Sequence, residues 1–102
     1  MKGIRITAVV AALLMGLAIP AGASHGQSSD TDSVYCPSGG SLVGRGYGHE
    51  WQTHVHDGQP QTMPDRSGWY WVNSYWGDHT GTQYVTVVAG GNSTIASALC
   101  PI

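Results

Sequence analysis

The sequence contains no phenylalanine, and after Lys2 it contains no further lysine. Only 10% of its residues are charged. Without Lys2 and Arg5 at the start of the chain, two arginines stand against six carboxylates, a formal charge of −4. This balance argues against binding to nucleic acid or to anionic membranes, because both require a cationic surface. The chain also lacks the cationic amphipathic stretch of membrane-lytic peptides.

Long apolar runs are absent except at the start of the chain. There Lys2 and Arg5 precede an apolar run at 6–19, and small residues follow it at 20–23. A run of about 14 residues is short of the 20 or so that a membrane span needs. The pattern predicts a secretory signal peptide over residues 1–23, cut after Ala23. We therefore expect a secreted, extracellular protein that does not span the membrane after cleavage.

The sequence has only two cysteines, Cys36 and Cys100. An exported chain meets an oxidising environment, so these two residues are predicted to form one disulfide bond. The chain-entropy model assigns about 4 kcal/mol to a closed loop of this length. A pair of metal thiolates is the alternative, which the absence of CxxC spacing disfavours.

After the signal peptide the chain has room for one domain. Residues 24–33 are polar and without periodicity, which predicts a disordered leader. Over residues 34–102, segments of high strand propensity alternate with glycine- and proline-containing turns, such as Gly90-Gly91-Asn92. The longest loop is 59–67. This pattern predicts an all-β domain, a small antiparallel sandwich or barrel of about five or six short strands. Residues 93–100 fit either a strand or a helical turn, and the strand is favoured.

The segment 46–58 holds three of the five histidines and alternates polar and apolar residues, as a half-buried strand does. On a strand His54 and His56 share one face, with Cβ atoms about 6.5–7 Å apart. At that separation two imidazoles can bind one metal ion. Glu50 shares the face but lies about 13 Å from His54, too far to join them. His49 falls on the other face unless a bulge at Gly48 shifts it.

A third metal ligand must then come from another part of the chain. The candidates are His79, Asp78 and Gln61, and His79 is preferred because its turn could return beside the His54 strand. The sequence therefore predicts His54, His56 and His79 as ligands of Zn²⁺ or another divalent metal ion. The alternative is a solvated strand face with surface histidines.

The same segment resembles the first motif of the cupins, a family of β-barrel proteins. That motif reads Gly, five residues, His-x-His, three or four residues, Glu, six residues, Gly. The positions that correspond to it are Gly48, His54, His56, Gln61 in place of the glutamate, and Gly68. The resemblance implies that His54 and His56 bind metal in a minimal barrel, which could act as a metal-dependent enzyme.

A second resemblance is to the lactococcin-type bacteriocins, small exported β-sandwich proteins. It is carried by Tyr47-Gly48 and by Ser-Tyr-Trp-Gly-Asp-His at 74–79, followed by Thr-Val-Val at 86–88. The resemblance implies a non-enzymatic antibacterial protein that acts at the cell envelope.

The segment 68–76 is the most aromatic in the chain, and on a strand Trp69, Trp71 and Tyr75 share one face. Aromatic residues on both faces suit a central, buried strand, and a chain without phenylalanine needs Trp and Tyr to fill its core. Exposed Trp and Tyr instead stack on sugar rings or anchor a protein partner. Trp69, Trp71 and Tyr75 are thus candidate ligand-binding residues.

The sequence has no Gly-x-Ser-x-Gly elbow and no spacing that places two carboxylates together for glycoside hydrolysis. We therefore favour a non-catalytic protein over an enzyme. The prediction is a small secreted binding, inhibitor-like or bacteriocin-like module without a cofactor. Its partner would be an extracellular protein, a glycan or a cell-envelope target. The alternative is the metal-binding, cupin-like barrel.

Overall fold

The computed structural model describes residues 25–102, of which 76% lie in strands and none in a helix. The predicted signal peptide lies outside these residues. The five strands are β1 (Gln27–Cys36), β2 (Ser41–His56), β3 (Gln59–Thr62), β4 (Trp69–Asp78) and β5 (Gly81–Leu99). All pair antiparallel, which confirms the predicted fold class. Within residues 25–102 there is no helix long and apolar enough to cross a membrane.

Two of the strands are far longer than the sequence pattern predicts. β2 has 16 residues and β5 has 19, and both bend at the same level. Their pairing changes register on either side of His49, which lies opposite Gly90. Glu50 and Gly91 have φ angles of 71° and 90°, which turn the chain out of the extended conformation. We call His49–Glu50 and Gly90–Gly91 together the corner.

The corner divides the sheet into two layers. In the first layer, residues 81–90 of β5 pair with β1, and residues 86–89 also pair with 52–55 of β2, which pairs with β3. In the second layer, residues 95–99 of β5 pair with 43–47 of β2, which pairs with β4 on its other side. Glycines 90 and 91 are thus a bend inside one strand and not the turn that the sequence suggested.

The two layers meet across a row of glycines on β2. Gly44, Gly46 and Gly48 are buried and alternate with residues that point outward. A Cβ atom at Gly44 would lie 2.8 Å from Val85 Cγ1, and one at Gly46 would lie 2.9 Å from Val87 Cγ1. Real Cβ atoms do not approach so closely, so these positions need glycine for the layers to pack.

Polar side chains of β1 close the second layer along the outer edge of β5. Asp30 Oδ2 accepts a hydrogen bond from the Ala96 amide at 2.8 Å, and Asp32 Oδ2 accepts one from the Ala98 amide at 2.7 Å. Further along, Ser28 and Thr94 hydroxyls lie 2.6 Å apart. These carboxylates satisfy amides that an edge strand would otherwise leave unpaired.

The predicted disordered leader therefore needs correction, because Gln27–Cys36 forms a regular strand. Its polar residues contact backbone amides, so the strand needs no apolar face to be held in place. Residues 93–99 continue β5, which confirms the favoured strand assignment. The predicted loop at 59–67 begins with the short strand β3, where Pro60 is tolerated because β3 pairs with β2 on one side only.

The predicted disulfide between Cys36 and Cys100 is confirmed. Cys36 is fully buried in an apolar cluster with Leu42, Val85 and Ala98. The bond joins the end of β1 to the residue after β5 and closes a segment with a sequence separation of 64 residues.

We expect reduction of this disulfide to lower the free energy of unfolding by about 4 kcal/mol, since the closed segment is long. The measurement is urea unfolding with and without reductant, with Cys36→Ala/Cys100→Ala as a second test of the same loss. An unchanged midpoint in both would contradict this expectation.

We expect Asp32→Ala to lower the free energy of unfolding by about 1–3 kcal/mol, because it leaves the Ala98 amide without its acceptor. Asp32→Asn keeps an acceptor oxygen and should recover most of the loss. Asp65→Ala, an exposed carboxylate in the loop before β4, is the matched control. Equal melting temperatures for Asp32→Ala and Asp65→Ala would show that the carboxylate does not hold β5.

Candidate functional site

His54, the first predicted metal ligand, is completely buried between the layers. Its Nδ1 lies 2.6 Å from Ser74 Oγ, and its Nε2 lies 2.8 Å from Gln52 Oε1. Both ring nitrogens are therefore engaged with side chains of the interior. The predicted strand face of His54 is correct, but that face is the inside of the folded sheet.

The hydrogen-bond partners of His54 determine which of its ring nitrogens carries the proton. Gln52 Nε2 donates to the Tyr70 carbonyl at 3.1 Å, so Gln52 Oε1 is the atom that accepts from His54 Nε2–H. His54 Nδ1 is then an acceptor, and the Ser74 hydroxyl donates to it. Ser74 Oγ in turn accepts from Trp76 Nε1 at 2.9 Å. The Gly44 carbonyl is a second, more distant acceptor for the Ser74 hydroxyl, at 3.4 Å.

Hydrogen bonds connect Ser74 to His54 and His54 to Gln52, which is the order of a nucleophile, a base and an orienting amide. Ser74 is 1% exposed and His54 is 0% exposed, so no substrate reaches the hydroxyl. Burial lowers the pKa of His54 from 6.5 to about 4, which keeps the imidazole neutral at neutral pH. The network therefore stabilises the interior, as buried and fully satisfied polar groups do.

His56 and His79, the other two predicted ligands, do come together. Their rings meet edge to face with centroids 4.6 Å apart. His56 Nε2 lies 2.8 Å from Gln83 Oε1, and His79 Nδ1 lies 3.1 Å from the Gly77 carbonyl. Within residues 25–102, however, His54 does not join them in a three-ligand group. The metal site predicted from His54, His56 and His79 is corrected accordingly.

The other two proposed third ligands also make separate contacts. Gln61 Nε2 donates to the Tyr75 carbonyl at 3.1 Å, and Asp78 Oδ1 accepts from the Ser41 hydroxyl at 3.2 Å. Both contacts are exposed. The Ser41–Asp78 contact links the paired strands β2 and β4, whereas the Gln61–Tyr75 contact links β3 and β4, which do not pair with each other.

Trp69, Trp71 and Tyr75, the predicted ligand-binding residues, lie on the outer side of β4. They are 39%, 46% and 67% exposed. β4 pairs with β2 alone among the described strands, so it is an edge strand and not the central strand that the aromatic pattern suggested. Its inward residues are small or partly buried, with Ser74 packed against His54.

The exposed rings of β4 continue across the second layer. Tyr47 of β2 lies between them, with ring centroids 5.4 Å from Trp69 and 5.2 Å from Trp71. The Arg45 guanidinium lies 5.3 Å from the centre of the Trp71 ring. On the other side of β2, Ile95 and Leu99 of β5 are 45% and 43% exposed. We call this surface the aromatic face; its residues are Arg45, Tyr47, Trp69, Trp71, Tyr75, Ile95 and Leu99.

One group of potential metal ligands does form in the described part of the chain, at the corner. It consists of His25, His49 and Glu50, whose ligand atoms all lie within 4.8 Å of one another. The His25 and His49 rings have centroids 3.9 Å apart, and His49 Nδ1 lies 3.6 Å from Glu50 Oε1. We call these three residues the corner cluster.

The backbone of Glu50 explains why two consecutive residues meet in this cluster. On a regular strand His49 and Glu50 point to opposite faces. The φ of 71° at Glu50 turns its side chain towards His49. Two backbone hydrogen bonds with the loop before β4 hold this conformation: Glu50 N donates to Gly68 O at 2.9 Å, and Arg66 N donates to Glu50 O at 3.0 Å.

Sequence reasoning missed the corner cluster for two reasons. His25 belongs to the predicted disordered leader, whereas Gly91 N donates to Gly26 O at 3.0 Å and so places the start of β1 at the corner. His49 and Glu50 were separated by strand alternation. The glycines around them were the one signal of a bend, and the bend lies at Glu50, two residues beyond the bulge considered at Gly48.

No protein-family model, curated protein or solved structure matches the chain.

We expect the free energy of unfolding to fall by about 2 kcal/mol between pH 7 and pH 5 through His54 alone. The pKa of His54 is about 4 in the folded protein and 6.5 for an ordinary histidine. Between pH 4 and pH 6.5 the imidazole is therefore protonated in the unfolded chain but neutral in the folded one. Stability is retained above pH 6.5 and is lost as the pH falls towards 4.

Urea unfolding at pH 7, 6 and 5 measures this dependence. His54→Gln removes the titrating group and should flatten the profile, even though it destabilises the fold at pH 7. His79→Gln, a partly exposed histidine, is the matched control. A pH profile that His54→Gln leaves unchanged would contradict the assignment.

Proposed function

We propose that this protein is a small secreted, non-catalytic binding module that recognises a glycan through its aromatic face. The observation that carries the proposal is the exposure of Trp69, Trp71 and Tyr75 on one side of β4, with the Tyr47 ring in contact with both tryptophan rings. Large aromatic side chains are costly to expose, and an exposed group of them marks a binding surface.

The shape of the face favours a sugar chain. The Tyr47 and Trp69 rings stack 19° from parallel, so together they form one rigid aromatic platform. The C–H side of a pyranose ring stacks on such a platform, while its hydroxyls need polar partners at the edge. Arg45 and Asn73 supply donors beside the rings, and Asn73 Nδ2 contacts the Tyr75 hydroxyl at 3.3 Å.

The face is also preorganised. Its residues lie on three hydrogen-bonded strand segments, in which Tyr47 pairs with both Trp71 and Ile95. The rings hold one another in place, so little side-chain freedom remains to be lost on binding. A rigid surface of this kind suits a non-catalytic module.

The predicted signal peptide and the disulfide support the same setting. The Cys36–Cys100 bond persists in an oxidising environment, which is where extracellular and cell-envelope glycans occur. The antibacterial action that the bacteriocin resemblance implies would be one use of such binding at a cell envelope.

We expect Trp71→Ala and Tyr75→Ala each to abolish retention on a polysaccharide that the unaltered protein binds. The probes are insoluble cellulose, chitin and peptidoglycan, and the measurement is the fraction of protein that sediments with each. Both residues are about half exposed or more, so their loss should change the free energy of unfolding by less than about 1 kcal/mol.

Tyr35→Ala is the matched control, because Tyr35 is 68% exposed and lies on β1, away from the aromatic face. Sedimentation with none of the three polysaccharides, or equal losses for Tyr35→Ala and Trp71→Ala, would refute the glycan assignment. Destabilisation of about 3–5 kcal/mol by Trp71→Ala would show instead that the ring acts as core.

A further inference from the structure

We propose that the corner cluster, His25, His49 and Glu50, binds one late first-row divalent metal ion, Zn²⁺ or Cu²⁺. The cluster lies apart from the histidines that the sequence pattern selected. Its three potential ligand atoms already lie within 4.8 Å of one another, so small side-chain rotations would bring them around one ion.

The donor set determines the class of metal. Two imidazoles with one carboxylate suit Zn²⁺ and Cu²⁺, whereas Ca²⁺ and Mg²⁺ prefer oxygen ligands alone. Cu²⁺ is expected to bind more tightly than Zn²⁺, in the general order of affinity for nitrogen and oxygen sites. Three protein ligands leave at least one coordination position for water or another ligand.

The backbone conformation of Glu50 fixes the position of the carboxylate donor. Glu50 is one of two non-glycine residues with positive φ among residues 25–102, an unfavourable conformation that persists only where the surroundings enforce it. The loop before β4 enforces it through Gly68 and Arg66. The result of this strain is that the Glu50 carboxylate faces His49, and strained residues of this kind gather at binding sites.

The other two donors are held by different elements. His49 is 8% exposed, and its ring is fixed edge to face against Trp69, with centroids 5.2 Å apart. His25 precedes Gly26, whose carbonyl accepts from the Gly91 amide at the corner of β5. Three strands and a loop therefore converge on one small group of ligands, as expected for a site formed by folding.

The contact between His49 and Trp69 supplies an optical readout. Cu²⁺ bound at His49 would lie close to the Trp69 indole and quench its fluorescence. Trp69→Phe keeps a ring against His49 but removes the indole, so it should remove most of the quenching.

The test is isothermal titration of the purified protein, freed of metal by a chelator, with Zn²⁺ and separately with Cu²⁺. We expect one ion per chain. His25→Ala, His49→Ala and Glu50→Gln should each weaken binding more than about tenfold, because losing even an outer-shell partner usually costs about 10- to 100-fold. His79→Ala, outside the cluster, should leave binding unchanged.

Glu50→Gln keeps the size of an exposed side chain, so it tests the site even if loss of the buried His49 ring disturbs folding. Binding that survives Glu50→Gln and His49→Ala but not His25→Ala would show that His25 holds the ion without the corner, and would overturn the proposal. Equal weakening by His79→Ala, or no binding of either ion by the unaltered protein, would overturn it as well.

Discussion

The close approach of the two layers is the constraint on which the rest of the structure depends. The row of glycines on β2 removes one layer of side chains, so Val85 and Val87 pack almost directly on the opposite backbone. The ends of the Gln52 and His54 side chains also lie beside Gly46, next to Val87. Because the interior is thin, most of the Trp and Tyr side chains lie partly or fully at the surface, and Trp51 is the buried exception. The aromatic face is thus a consequence of the glycine-lined core, which leaves little room for rings inside.

A thin interior also explains why it contains polar groups. His54 is fully buried, and the proton order through Ser74, Trp76 and Gln52 gives each of its ring nitrogens a partner. Satisfied in this way, the network specifies one arrangement of the two layers, whereas a purely apolar contact would tolerate sliding. The same network ties the conformation of β4 to that of β2, and so supports the rings that β4 presents outside.

Strand propensity, turn residues and export context were sufficient to predict the all-β fold and the Cys36–Cys100 bond, since these depend on local chemistry and on compartment. The strand β1 could not be predicted, because Asp30 and Asp32 bond to amides that are distant in sequence. Alternation correctly placed His54 on one face with Gln52. It could not show that this face is the interior, nor that a left-handed Glu50 reverses the alternation. Trp69, Trp71 and Tyr75 were identified as one face of a strand, and only the fold shows which side meets water.

The disulfide has a mechanical consequence. A tensile force applied between the two ends of the described chain would enter through β1 and leave through the Cys36–Cys100 bond, near the end of the chain. The covalent bond would shield β2, β3, β4 and β5 from the load. The only segment under tension would be β1, whose ten residues pair antiparallel with β5. The aromatic face and its supporting layers would therefore keep their shape while the chain is pulled.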